Sequence, residues 1–264
     1  MRHTGEKRAM NPTTLRFTPS LRRALLAVIA TALFPALPVA SGQADAKAPS
    51  PAAPAPKSAN DPTKPVPGGV RWFGRKHAAY MDQTKNRKFD LCLLGDSITD
   101  MWPGNLFAKY FGKYNAAGFG IGGDRTENVL WRLEQGELKG TNPKVIVLLI
   151  GTNNSGFNTG EEIAVGVTAV VTKLRTMLPQ TKILLLGIFP KRDPNRARTD
   201  AANPIIAKLD DGKMIRFLDV GRHLLDKDGN ILDGILSDAV HLTPKGYEIW
   251  GDRMAPLLAE MMGN

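Results

Sequence analysis

The chain reads FDLCLLGDS at residues 89–97, an almost continuous apolar run that ends in a glycine turn. Such a run has the length and character of a strand that is buried on both faces, as in a parallel sheet. Runs of the same kind occur at residues 144–150, 182–188 and 214–220, with a weaker one near 114–119. The five runs predict a five-stranded parallel sheet.

Apolar residues recur at helical spacing between these runs. Val129, Leu130 and Leu133 form one such pattern, a longer one covers residues 163–174, and a last helix is expected over about 244–262. Strands of near-continuous apolar character that alternate with helices imply a parallel sheet covered on both faces. We therefore predict a three-layer α/β/α fold, whose functional residues lie at the carboxyl ends of the strands.

The first 46 residues have the order of a secretory signal peptide. Arg22 and Arg23 precede a mostly apolar stretch at residues 24–34, and residues 44–46 fit an A-x-A cleavage site. The apolar stretch is shorter than the about 20 residues that span a bilayer, so a retained membrane anchor is the weaker alternative. We expect a secreted or periplasmic protein with no integral membrane segment in its mature form.

Residues 47–69 are dominated by proline, alanine and polar residues. Because such a segment cannot bury enough apolar surface to offset its ordering entropy, we expect an extended linker. The remaining residues, 70–264, are predicted to form one domain.

The net charge of +10 lies largely outside the predicted domain. Residues 1–67 hold nine Lys or Arg and three acidic residues, which leaves a net charge of +4 on residues 68–264. This domain has no basic stripe, so nucleic acid is not expected as a partner. Its densest basic cluster, from Lys191 to Arg198, is interpreted as a solvated loop. The single cysteine, Cys92, can form no internal disulfide, and no cluster of His, Cys and carboxylates has metal-ligand spacing, so a metal-dependent hydrolase is not expected.

Two motifs carry the residues of a possible nucleophilic site. Ser97 follows the first strand, where its hydroxyl can project above the sheet, although serine and aspartate also suit an ordinary turn or helix cap. Asp238 precedes His241 by three residues, so its carboxylate can orient the imidazole while the imidazole takes a proton from a serine. His77 and His223 lack such a partner and are interpreted as surface or satisfied core residues.

Two glycine-containing turns follow the next two strands. They read GIGGD at residues 120–124 and GTNN at 151–154. Backbone N–H groups and an asparagine amide at such turns can stabilise the oxyanion that forms when a nucleophile attacks an ester. Each turn alone is equally a strand-to-helix connection; the occurrence of all four motifs in order, at strand ends and before the last helix, favours the catalytic interpretation.

Over residues 89–262, these motifs resemble the SGNH hydrolase superfamily, also called GDSL esterases. Residues 118–138 and 145–156 are similar to the catalytic subunits of intracellular platelet-activating-factor acetylhydrolase. The resemblance implies a flavodoxin-like fold, a preference for small acyl groups, and no cofactor. It also implies site roles: Ser97 as nucleophile and oxyanion donor, Gly123 and Asn153 as further oxyanion donors, and Asp238 and His241 as acid and base.

The predicted export changes the expected substrate. An exported enzyme meets extracellular esters, so we expect a small-molecule or polysaccharide acyl ester, with acetylated carbohydrate favoured. A lipid-directed esterase or lysophospholipase of the same superfamily is an alternative, as is a non-catalytic glycan-binding protein. Oligomeric state is left open.

A dinucleotide-dependent oxidoreductase is a further alternative. Residues 118–123 fit G-x-G-x-x-G between a strand and a helix. This match lies in the second strand–helix unit, however, and no acidic residue ends a following strand about 20 positions later, as such a site requires. The sequence therefore favours a serine esterase.

Overall fold

The computed structural model describes residues 60–263. The predicted signal peptide and residues 47–59 of the predicted linker lie outside these residues, so export stays a prediction. Within residues 60–263, no helix combines the length and apolar character needed to cross a membrane.

One sheet contains five strands. They are β1 (Leu91–Gly95), β2 (Ala116–Gly120), β3 (Val145–Leu149), β4 (Lys182–Leu186) and β5 (Ile215–Leu218). All neighbouring pairs are parallel, and the order is β2-β1-β3-β4-β5. Each predicted run overlaps one strand. This order is that of flavodoxin-like folds, which bind ligands at the carboxyl ends of β1 and β3, where the strand order reverses. The predicted fold is confirmed.

Seven α-helices of the described residues cover the two faces of the sheet. They are α1 (Phe73–Asn86), α2 (Ser97–Asp100), α3 (Gly104–Phe111), α4 (Thr126–Glu134), α5 (Gly160–Met177), α6 (Arg196–Ile206) and α7 (Pro244–Met262). Helices α3 and α7 pack on one face, and α4, α5 and α6 pack on the other. The helices predicted from apolar spacing are therefore present, and α7 has the predicted bounds.

The burial of β1 explains its continuous apolar sequence. Leu91 and Leu93 belong to the core layer that contains Trp250 of α7, whereas Cys92 and Leu94 belong to the layer under α4 and α5. All four strand residues are fully buried. Burial also raises the pKa of the Cys92 thiol, so this cysteine is an inert part of the core.

Residues 60–72 form what we call the N-terminal strap. Pro62 is buried, and its carbonyl accepts a hydrogen bond of 2.8 Å from the Thr126 hydroxyl. The Val66 carbonyl accepts a 3.0 Å bond from the Asn128 side chain, and the Val66 N–H donates to the Glu127 carbonyl at 3.2 Å. The N-terminal strap therefore packs against α4, since polar groups of α4 pair with its backbone, and the domain start at residue 70 stays a prediction.

Candidate active site

Ser97 is the first residue of α2, directly after the turn that ends β1. A Cβ at Gly95 would lie 2.3 Å from the Leu149 carbonyl oxygen and from Thr99 Oγ1, so no larger residue fits this turn. The Asp96 side chain caps α2 by accepting the Ile98 N–H at 2.9 Å. The local sequence thus produces the sharp strand-to-helix turn that projects Ser97 from the carboxyl edge of the sheet.

Asp238, His241 and Ser97 form one line of hydrogen bonds. His241 Nε2 lies 2.9 Å from Ser97 Oγ, and His241 Nδ1 lies 2.7 Å from Asp238 Oδ2. The other carboxylate oxygen of Asp238 accepts the N–H groups of Val240 and His241, each at 2.7 Å. The structure therefore brings these three predicted residues together in the order that general-base activation of a serine requires.

Asp238 is held in its ionised form. Partial desolvation acts to raise its pKa, but the bonds from the His241 backbone and imidazole and from the Val240 N–H outweigh it and lower the pKa to about 2. The carboxylate therefore carries its charge throughout the neutral range. A charge at this place stabilises the imidazolium that forms when His241 accepts a proton.

Gly123 and Asn153, the predicted oxyanion residues besides Ser97, follow the strands on either side of β1. Gly123 has φ +85°, in the region that favours glycine, and a Cβ there would lie 2.9 Å from Val70 Cγ1. Asn153 lies on the turn after β3, where its side-chain amide donates to the Asp124 carbonyl at 2.8 Å. That bond uses one amide hydrogen and fixes the side chain, so the second N–H can serve a ligand.

A buried charge network beneath Asp124 was missed by sequence reasoning. Arg132 is fully buried; it donates to Asp124 Oδ2 at 2.6 Å and to Glu137 through two nitrogens. Glu137 also contacts His77 Nδ1 at 3.0 Å, so His77 is a satisfied residue as predicted. The sequence did offer a signal for this network. Arg132 lies inside the apolar pattern of α4 and has acidic residues on both sides in sequence. The network holds the loop that carries the Asp124 carbonyl and thereby orients Asn153.

Asp96 is a buried carboxyl beside the nucleophile. Its side chain is 0% exposed, and among the described residues its Oδ2 has no hydrogen-bond partner. Burial raises its pKa to about 7, although the Ile98 N–H opposes this shift.

The burial of Lys191 changes part of the interpretation of the basic cluster from Lys191 to Arg198. Its side chain is 5% exposed and donates to Ser155 Oγ at 2.6 Å, while the Arg192 N–H donates to the Ala239 carbonyl at 2.8 Å. Arg198 donates to the Ser155 carbonyl at 2.8 Å. Lys191 is therefore buried, whereas Arg192 and Arg198 are exposed, as expected of a solvated loop. The segment contacts both the turn that carries Asn153 and the loop that carries Asp238 and His241. The charge run resembles a surface loop in sequence because its partners lie far away in the chain.

Comparison with known proteins agrees with this geometry. Residues 93–249 match the GDSL-like Lipase/Acylhydrolase family. Platelet-activating factor acetylhydrolase IB subunit alpha2 of Homo sapiens is 36% identical over 187 residues, which cover 69% of this chain and 81% of that protein.

Solved structures share the fold. A GDSL-like lipase from Bacteroides thetaiotaomicron has a TM-score of 0.57 at 18% identity, with 70% of this chain and 97% of the other covered. An acetylxylan esterase from Geobacillus stearothermophilus has a TM-score of 0.51 at 16% identity, with 67% and 94% covered. The family match and the acetylhydrolase relative show that this chain belongs to the GDSL-like lipase/acylhydrolase family and is a carboxylic ester hydrolase.

Proposed function

We propose that the chain is a serine esterase that removes short acyl groups, acetyl above all, from carbohydrate esters. The observation that carries the serine mechanism is the line from Asp238 through His241 to Ser97, with contacts of 2.7 and 2.9 Å. These contacts support His241 as the general base and Ser97 as the nucleophile.

The reaction proceeds by double displacement. Ser97 Oγ attacks the ester carbonyl carbon while its proton passes to His241 Nε2. Collapse of the tetrahedral intermediate breaks the bond to the alcohol, which leaves with the proton from His241. Water, deprotonated by His241, then attacks the acyl-enzyme, and Ser97 recovers its proton as the acid departs.

The oxyanion of each tetrahedral intermediate needs fixed donors. The Ser97 and Gly123 backbone N–H groups and the Asn153 amide are the proposed donors, because all three belong to loops at the carboxyl edges of adjacent strands. The contact of Asn153 with the Asp124 carbonyl supports this role, since it positions the amide before the ester arrives.

The acetyl preference is supported by the relatives, which are acetylhydrolases by name. The carbohydrate preference is supported by the predicted export and by the openness of the site. The Asp238 side chain is 55% exposed and Gly123 is exposed, so a bulky acceptor can reach Ser97 from the surface. A lipid-directed esterase is the second candidate, because the same relatives are named for a lipid.

Two experiments test this proposal. Hydrolysis of p-nitrophenyl acetate, butyrate and octanoate is measured for the protein, for Ser97→Ala and for Ser237→Ala. Ser237 is an exposed serine whose hydroxyl donates to the His241 carbonyl but does not contact the imidazole. We expect acetate to be the best of the three, with loss in Ser97→Ala and retention of most activity in Ser237→Ala. Acetate release from acetylated xylan is then compared with release from an acetylated ether phospholipid; release from the lipid alone would overturn the carbohydrate assignment.

A further inference from the structure

Trp72 is an exposed tryptophan of the N-terminal strap. Its side chain is 42% exposed. The other three tryptophans of the chain are different, because Trp102 and Trp250 are buried in the core and Trp131 is half-buried. Aromatic side chains are frequent in the lining of ligand sites.

The exposed indole lies beside the nucleophile. A Cβ placed on Gly122 would be 3.5 Å from Trp72 Nε1 and 3.6 Å from Ser97 Cβ. Trp72 Nε1 and Ser97 Cβ therefore both border the space that a side chain at position 122 would occupy, and the glycine leaves that space open. Any larger group attached to an ester at Ser97 has the indole within reach.

The backbone around Trp72 is fixed on both sides. Upstream, Val70 packs against Gly123, and its carbonyl accepts the Phe73 N–H at 3.0 Å. Downstream, the Trp72 carbonyl accepts the Lys76 N–H at 3.1 Å, and Phe73 packs against Trp131 with ring centroids 5.6 Å apart. The indole is thus carried by an ordered segment, which lowers the entropic cost of using it to bind a ligand.

Charged side chains lie one helical turn after Trp72 and three residues after Ser97. Lys76 of α1 forms an ion pair with Asp100 of α2, and both side chains are partly exposed, at 31% and 23%. A flat apolar ring next to charged hydrogen-bonding groups matches a sugar, which presents C–H bonds on one face and hydroxyls around its edge. It suits an aliphatic tail poorly, since a tail would leave the ion pair unsatisfied or dehydrated.

We propose that Trp72 is the platform on which the sugar ring of the acyl acceptor stacks, so that the N-terminal strap completes the substrate site. This inference rests on the proposed function and deepens it, because it assigns the acceptor side of the same site. Trp72, which lies just after the predicted linker, would then determine specificity for the acceptor.

The test compares two acetyl esters in the full protein. Acetylated xylobiose presents a sugar ring, whereas ethyl acetate presents no ring at all. In Trp72→Ala we expect kcat/KM for acetylated xylobiose to fall about tenfold, mainly through KM, and kcat/KM for ethyl acetate to change less than about twofold; stacking on an aromatic face has about this value. Trp72→Phe keeps a ring and should recover most of the loss. Val165→Ala, which trims an exposed apolar residue of α5, is the control.

Binding without turnover gives a second readout. In the Ser97→Ala background, acetylated xylobiose should change the tryptophan fluorescence, and the change should be absent when Trp72 is also replaced by Phe. Equal losses on both esters in Trp72→Ala, or no loss on either, would overturn the platform while leaving the esterase assignment intact. Failure of the wild-type protein to cleave acetylated xylobiose while it cleaves ethyl acetate would overturn the sugar acceptor and the platform together. Failure on both esters would contradict the proposed function itself.

Discussion

At the scale of single residues, Asp238 performs two tasks with its two oxygens. Oδ1 accepts two backbone N–H groups and shapes the loop, while Oδ2 faces the imidazole of His241. The three-residue spacing of Asp238 and His241 makes both tasks possible within one turn. Because the spacing is local, it could be found in the sequence; the 2.9 Å contact with Ser97, 144 positions away, could only be inferred.

Asp238→Asn separates these two tasks. The amide oxygen can replace Oδ1, so the fold should survive, but an amide group next to Nδ1 favours the wrong imidazole tautomer and brings no charge. We expect kcat to fall by about 10³-fold to 10⁴-fold with little change in thermal stability. Asp226→Asn is the matched control, because Asp226 accepts the N–H groups of Asp228 and Asn230 without a histidine partner. Near-full activity of Asp238→Asn would mean that another group orients His241.

Two neighbouring asparagines should give opposite results. Asn153→Ala removes one oxyanion donor and should lower kcat by about 100-fold to 1000-fold without destabilising the protein. Asn154 is buried and accepts the Thr126 N–H at 3.0 Å while donating to Glu127 at 3.0 Å, so Asn154→Ala should cost about 1–3 kcal/mol of unfolding free energy. Measuring kcat and the free energy of urea unfolding for both variants checks these two expectations. A loss of kcat of tenfold or less in Asn153→Ala would mean that this side chain only shapes its turn.

At the scale of elements, α2 is capped by the carboxyl group of Asp96, which titrates near neutral pH. The pKa of Asp96 is raised by burial from 3.8 to about 7, with Asp124 and His241 as its charged neighbours. Between about pH 4 and pH 7 the folded chain keeps a proton that the unfolded chain has lost. The contribution of Asp96 to stability therefore falls as the pH rises through this window.

Asp96→Asn removes this titration and keeps an oxygen for the Ile98 N–H. From pH 5 to pH 8 the unfolding free energy of the wild-type protein should fall by about 2–3 kcal/mol more than that of the variant, which follows from the raised pKa. Urea unfolding at the two pH values measures this difference. Asp124 is present in both proteins, so the difference between them reports the titration of Asp96 together with its coupling to Asp124. Parallel pH curves for the two proteins would show that Asp96 is not the group responsible.

The junction of α4, α5 and the strap is tightly packed. A Cβ at Gly166 of α5 would lie 2.4 Å from Thr126 Oγ1 and 2.9 Å from Pro62 Cβ, whereas a Cβ at Gly74 of α1 meets nothing within 4 Å. Gly166→Ala should therefore destabilise the protein by about 1–3 kcal/mol despite its better helix propensity. Gly74→Ala, the matched change in open space, should stabilise it by about 0.5–1 kcal/mol. Equal effects of the two substitutions on the midpoint of urea unfolding would argue against the close packing of α5 with α4 and the strap.

At the scale of the whole molecule, the sequence predicts the parts that depend on local periodicity and local spacing. The five strands, α7 and the residue pair Asp238 and His241 are of this kind. The docked strap could not be predicted, because proline-rich composition is the same whether the backbone carbonyls bond to water or to the side chains of α4. The buried roles of Arg132 and Lys191 could not be predicted either, because their partners become neighbours only after the chain has folded.

The order of the sheet explains why distant segments form one site. Strand β1 pairs with β2 on one side and β3 on the other, with Gly95 opposite both Gly120 and Leu149. The loops that carry Ser97, Gly123 and Asn153 therefore leave the sheet at the same level. The loop that carries Asp238 and His241 reaches the same edge just before α7. The N-terminal strap reaches this edge from the other side of the domain sequence, ahead of β1.

The central claim is that Ser97 is the nucleophile, and covalent labelling tests it most directly. The protein is treated with diethyl p-nitrophenyl phosphate, its intact mass is measured, and the labelled peptide is mapped. The account predicts one diethylphosphoryl group per chain, on Ser97, with parallel loss of esterase activity, no label in Ser97→Ala and much slower labelling in His241→Ala. An active esterase that takes no label, or that is inactivated by a label on another residue, would contradict it.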